Sequence, residues 1–244
     1  MRLIIAALLL SVGMAHAAPP KADDFAPVLE LAGLRLLCEQ SAPLVQRGMN
    51  PAQQAQLGRA FAADGLCRDL AEQLAGKFDR DQLEQARQLL DSPLARRFTA
   101  AERAVGEGDG TALADYREQL AARPPRQDRL ALVRRLDAAA RTTALATVLR
   151  YEAGKTQALL ALKARGETLD EQALSSQTQV QVAALKTSSA AAVESFMLYA
   201  YRQIPSEQLA DYAALYEHPA VSHLLESSVQ VLPQLFAARR AAFR

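Results

Sequence analysis

Apolar residues recur at three- and four-residue steps along almost the whole chain, and that spacing predicts helices. Phe25, Val28, Leu29, Ala32 and Leu36 make the first stripe, so one helix is expected to run through them all. Asn50-Pro51 reads as a cap followed by proline at the first helical position, where the missing N–H removes no hydrogen bond. That helix is expected to reach about Ala63, with Gly65 as punctuation, and Leu66, Cys67, Leu70, Ala71 and Leu74 trace the next stripe. Asp79 and Gln82 stand in the capping-box arrangement ahead of Leu83, Ala86, Leu89 and Leu90. Asp91-Ser92-Pro93 then turns a corner into a further helix. The glycines between 106 and 110 and the segment Arg123-Pro124-Pro125-Arg126 interrupt the pattern, with a short helix through Leu113, Tyr116 and Leu120 between them. Leu130 to Leu149 and Ala158 to Ala164 return to helical spacing, Gly166 breaks it, and Val180, Ala184, Thr187 and Ala191 keep one face of a later helix. No run alternates apolar and polar positions with β-branched residues, so strands are not expected. The expected fold is an all-α, multi-helix bundle.

The pattern also repeats. "LLDSPLARRF" at 89–98 is echoed by "LYEHPAVSHL" at 215–224. Over 78–98 against 204–224, Gln82, Leu83, Leu89 and Pro93 match Gln208, Leu209, Leu215 and Pro219, and acidic residues coincide at Asp81 with Glu207 and Asp91 with Glu217. The corners are Ser92-Pro93 and His218-Pro219. Two weakly similar helical repeats are therefore expected, at 18–122 and 127–244, packed together as one domain.

Composition changes the picture at the start of the chain. Arg2, the apolar run Leu3 to Leu10 and the small residues Ala15 and Ala17 read as a cleavable secretory signal peptide over residues 1–17. No cysteine follows that cut, which argues against a lipid anchor, and no later run is long and apolar enough to span a bilayer. A periplasmic location is expected. The whole chain carries 28 basic and 27 acidic side chains, and removal of Arg2 balances them, so no overall field directs it to nucleic acid or anionic lipid. Cys38 and Cys67 are the two cysteines, and in an oxidising compartment they are expected to form a structural disulfide. Closing that loop stabilises the fold by roughly 3 kcal/mol in the loop-entropy account. Their spacing is not C-x-x-C and no histidine stands near, so a redox or metal role is not indicated.

Candidate chemistry is sparse. His218 and His223 are five apart across a corner, whereas helical metal ligands sit three or four apart, so they read as surface or packing residues. Nucleophile elbow, S-x-x-K, zinc-helix and P-loop patterns are absent, and the glycine run lacks both the lysine of a P-loop and the acidic spacing of an EF-hand. No catalytic, metal or cofactor-binding residue is assigned and no cofactor is expected. Four of the six tyrosines, Tyr199, Tyr201, Tyr212 and Tyr216, gather around the second echo, where they could line a groove for a partner helix or an apolar ligand, or pack in the core. Arg239, Arg240 and Arg244 stand at a helix C-terminus, where cations answer the helix dipole; three arginines are too few for firm membrane attachment.

The stretches "RDQLEQARQLLDSPLARRF" and "PSEQLADYAALYEHPAVSHL" resemble the signature of the bacterial family called domain of unknown function twenty fifty-nine, a Leu-Thr-x-x-Glu-Leu helix running into an aromatic-Tyr-x-Ser-Pro corner. Leu90 stands in place of the family's tyrosine in the first stretch, and His218 in place of its serine in the second. The resemblance implies an exported, all-helical protein without assigned activity. A periplasmic interaction or structural protein, self-associating or bound to an envelope partner, is the leading expectation. A carrier enclosing a lipid or other apolar small molecule is the alternative, and a hydrolase using carboxylates is a third.

Overall fold

The computed structural model describes residues 19–106, 110–167 and 169–243. The leader at 1–17, the middle of the glycine run (Glu107, Gly108 and Asp109) and Arg244 lie outside the described residues. Thirteen α-helices and no strand occur among those described. The first half holds α1 (Ala22–Leu31), α2 (Leu34–Gln46), α3 (Pro51–Ala60), α4 (Ala63–Ala75), α5 (Arg80–Leu90), α6 (Pro93–Gly106) and α7 (Thr111–Ala122). The second holds α8 (Gln127–Ala140), α9 (Thr142–Ala164), α10 (Glu171–Thr178), α11 (Val182–Ala200), α12 (Ser206–Glu217) and α13 (Pro219–Ala241), with one 3-10 turn at Gln179–Gln181.

The expected caps are in place. The Asn50 carboxamide oxygen accepts from the Gln53 N–H at 2.9 Å, and Asp79 accepts from the Gln82 N–H at 2.7 Å while the Gln82 side chain accepts from the Asp79 N–H at 3.2 Å. Each bond satisfies a donor that the first helical turn would otherwise leave free. Elsewhere the boundaries differ from the periodic reading. Gly33, at φ 72°, splits the first stripe, so α1 stops at Leu31 and Leu36 emerges 56% exposed on α2. Gly65 sits inside α4 rather than before it, since the chain breaks earlier, at Phe61 and Ala62. Arg141, at φ 54°, divides the segment 130–149 into α8 and α9. A left-handed non-glycine residue is costly, and the Asp137 carboxylate offsets it by accepting from both the N–H and the hydroxyl of Thr143, each at 2.7 Å. Val180, Ala184, Thr187 and Ala191 share a face as expected, but that face is exposed; α11 buries Ser189, Val193, Met197 and Leu198 instead.

Around the corners, the two echoed stretches bury matching positions: Leu83 with Leu209, Ala86 with Tyr212, Leu90 with Tyr216, Ala95 with Val221 and Phe98 with Leu224. Pro93 and Pro219 both open helices. Surroundings differ, however, because α5 packs on α1 and α13 whereas α12 packs chiefly on α8. One hydrophobic cluster runs through both halves. At its centre α13 contacts α4 and α5 from the first half and α9 from the second, with Phe61 against Phe236 at a ring separation of 5.0 Å.

Cys38 on α2 and Cys67 on α4 form a disulfide pair, with Cα atoms 5.9 Å apart. Arg239 and Arg240 do not decorate an exposed helix end. Arg240 is fully buried, donating to Glu152 and Glu171 at 2.5 Å each, and Lys155 donates to Glu171 at 2.8 Å. Partial burial works against ionising Glu171, yet the hydrogen bonds from Arg240 and Lys155 outweigh it and hold its carboxyl down at about 2. Arg239 pairs with Asp69 on α4 at 2.8 Å. The physical reason is that α13 ends against α9 and α4 rather than in water, so its cations find carboxylates on those neighbours.

Two stability measurements follow. The Cys38→Ala/Cys67→Ala variant is expected to lose about 3 kcal/mol in denaturant unfolding, and reduction of the native protein to bring it to the same midpoint. Arg240→Met leaves Glu152, 1% exposed, without its nearest cation, and should cost about 3–5 kcal/mol; a change under about 1 kcal/mol would show that the cluster is not the lock on α13.

Candidate functional site

A cavity of about 710 Å³ lies where the first half meets the second. Its mouth is formed by the turn between α1 and α2, with Gly33, Leu36 and Gln40, and by Arg103 and Gly106 of α6. Leu136 and Ala140 of α8 and Leu145, Ala146 and Leu149 of α9 form one wall, and Phe196 and Met197 of α11 another. Tyr201, Tyr212 and Tyr216 border the same space together with Glu102. The lining is mostly apolar with a few polar groups, the composition of a small-molecule site, and the volume falls in the usual range for one. Helix breaks shape it. The Gly33 turn swings α2 away from the line of α1, and Arg141 starts α9 in a new direction from α8.

Glu102 sits one helical turn beyond Phe98 on the core-facing side of α6. Tyr201 donates a short hydrogen bond to its carboxylate. Burial raises the Glu102 carboxyl above its ordinary value, and the Tyr201 hydrogen bond opposes that rise without cancelling it. Protein atoms crowd the carboxyl on most sides while the cavity keeps the residue partly accessible. No cation is paired with it among the described residues: the neighbouring Arg103 reaches Glu30 at 3.8 Å, and Arg35 pairs with Glu39 at 2.9 Å and Asp64 at 2.8 Å. Phe98 stacks on Tyr212 with ring centres 4.0 Å apart, and the Tyr212 and Tyr216 hydroxyls lie 3.2 Å from each other. Burial and nearby negative charge push all three tyrosine hydroxyls upward, so they stay neutral.

Of the tyrosines expected in a groove, Tyr201, Tyr212 and Tyr216 come together at this cavity and Tyr199 does not. Two residues from Tyr201 along a helix, Tyr199 points to another side; it packs on Tyr116 at 5.2 Å, with Arg202 over its ring at 3.9 Å. The two corners are also elsewhere. Ser92 accepts from the Ala95 N–H at 3.3 Å ahead of Pro93, and His218, preceding Pro219, accepts from the Ala220 N–H at 3.3 Å. His218 lies 3.4 Å from the Gln85 side chain, and His223 meets the Lys77 carbonyl at 3.0 Å and the Phe78 ring at 4.6 Å, so both histidines fasten the second half to the first. No cluster of metal-ligating side chains occurs among the described residues. Glu152 and Glu171 share Arg240 and Lys155 as partners and do not line the cavity. Residue-by-residue periodicity overlooked Glu102. The available signal was a charged residue continuing the buried series Ala95 and Phe98 at helical spacing.

Comparison of the chain with protein-family models, curated proteins and solved structures gives no match in any of the three. The geometry of the cavity therefore carries the functional argument.

Because Glu102 holds its proton more tightly in the folded protein than in the unfolded chain, its contribution to stability is greatest at low pH. That contribution falls as pH rises from the ordinary carboxylate value through the raised one, then levels off. Glu102→Gln removes the fall. Its melting temperature should match that of the native protein near about pH 4 and exceed it near about pH 8; parallel curves at all pH values would contradict a desolvated carboxyl.

Proposed function

We propose that this protein is an exported helical carrier that binds an apolar small molecule in the cavity between its halves. The observation that carries the reading is the cavity itself: about 710 Å³, walled by leucines, alanines, Phe196 and Met197, with Glu102 beside Tyr201, Tyr212 and Tyr216 and with Glu30, Arg35, Glu39 and Arg103 also on its border. Such a wall removes apolar surface of a ligand from water, at roughly 25 cal/mol per Å², while the few polar groups orient it. The surface supports this over a scaffold role. Only Leu36 and Val180 are exposed large apolar residues among those described, and Leu36 belongs to the cavity mouth, so no broad apolar patch is offered to a protein partner. Export to the periplasm is part of the proposal, supported by the leader-like residues 1–17 and by a cysteine pair placed for a disulfide. So is membership of the family of unknown function named above, supported by the residues of the two Pro corners. No described helix is long and apolar enough to cross a membrane.

The chain lacks tryptophan, which leaves a clear window for a fluorescent probe. The neutral dye N-phenyl-1-naphthylamine should brighten on binding to the purified protein. Ala146→Phe, which places a ring in the cavity, should weaken that binding by about tenfold or more while the far-ultraviolet circular dichroism stays helical. Absence of dye binding, or equal affinity in the variant, would remove the carrier reading.

A further inference from the structure

The cavity contains one feature that an apolar ligand alone does not use. Glu102 is a carboxylate set in a mostly apolar wall, and among the described residues its hydrogen bond comes from Tyr201 and no arginine or lysine pairs with it. A buried charge without a counter-charge is costly, and it is relieved either by keeping a proton or by receiving a cation. From this placement we infer that the ligand is an organic cation, an amphiphilic amine or quaternary ammonium compound whose charged head lies against Glu102. The inference rests on the carrier reading and names the chemical class that the cavity takes.

Three observations favour a cation over a neutral or anionic ligand. Tyr201 already donates to Glu102, so the carboxyl is held as an acceptor, ready to face a positive head group. The leucines and alanines of α8 and α9, with Phe196 and Met197, wall the space beside it, and an ion pair with Glu102 is stronger where such walls exclude water. Finally, the charged side chains bordering the cavity are three glutamates and two arginines, and both arginines are engaged by carboxylates, Arg35 by Glu39 and Asp64 and Arg103 by Glu30. The balance at the site is negative. An anionic head would meet Glu102, while the two arginines bordering the space are already paired with carboxylates.

Proton linkage follows from the same arrangement. Charged groups facing Glu102 across the cavity are Glu30 near the end of α1, Arg35 and Glu39 of α2 and Arg103 of its own helix, with neutral Tyr201, Tyr212 and Tyr216 on the remaining side; the α8 and α9 residues that line the space are uncharged. Glu102 is thus the group whose charge the head group senses at close range. With its carboxyl raised by burial, part of the free protein carries the proton at mildly acidic pH. A bound cation displaces that proton to solvent, so cation affinity climbs with pH, by at most about tenfold per unit, until Glu102 is ionised without help.

The test uses three probes of equal chain length, decyltrimethylammonium, 1-decanol and decanoate, each below its micelle-forming concentration, titrated calorimetrically into the purified protein and into Glu102→Gln at about pH 5 and about pH 8. The native protein at the higher pH should bind the cation about tenfold or more tightly than decanol, the strength of one charge-assisted contact, and decanoate most weakly. That preference should shrink at the lower pH and disappear in Glu102→Gln. If decanol binds and the cation gains nothing over it, the inference fails and the carrier reading stands. If none of the three binds, both fail. A cation preference that persists unchanged in the variant, or that does not vary with pH in the native protein, also overturns the role given to Glu102, and the second of these needs no variant to be folded.

Discussion

The buried cluster of Arg240, Glu152, Glu171 and Lys155 is the contact on which the rest of the arrangement depends. It fixes the end of α13 to α9 and α10. With that end held, α13 can serve as the central post of the bundle, touching α4 and α5 on one side and α9 on the other. Two acids and two bases meet there, so the charges balance within the core. Removing charge from water is costly, and the cluster is tolerable because Glu152, Glu171 and Arg240 each have close, hydrogen-bonded partners.

Helix α9 connects this cluster to the cavity. Leu145, Ala146 and Leu149, in its first turns, line the cavity, and Glu152, Lys155 and Thr156, one to two turns on, belong to the ion cluster. A continuous helix of 23 residues is stiff over that distance, so the part of α9 that lines the cavity is braced by charges further along the same element. The disulfide does similar work at the other margin. It ties α2, which carries the mouth of the cavity, to α4, which packs on α13. Thus α9 and, through the disulfide and α4, α2 are both joined to α13.

The acidic groups Glu152 and Glu102 contrast in their partners. Glu152 has cations within reach and makes the core cohere. Glu102 has a tyrosine and an open space. Glu152, fully buried, has its counter-charge supplied by the fold, whereas the partly accessible Glu102 has none among the described residues and its carboxyl is raised by burial. The echoed corners are structural: they cap helices and, through His218 and His223, join the halves.

The sequence by itself determined the helical class, the caps at Asn50 and Asp79, the start of α7 just after Gly110, and the Pro-led starts of α6 and α13, because each rests on local hydrogen bonding and backbone geometry. It also brought out three of the tyrosines that now border the cavity, through their crowding near the second corner. Only the tertiary structure decided that Arg141 would break a helix, that the face through Val180 and Ala184 would be exposed, that Arg240 would be buried, and that Glu102 would stand beside Tyr201 from the other half of the chain. Helical spacing tells which residues share a side of one element. It does not tell which element comes to lie against that side, and the charge of Glu102 or Arg240 acquires its meaning from that neighbour.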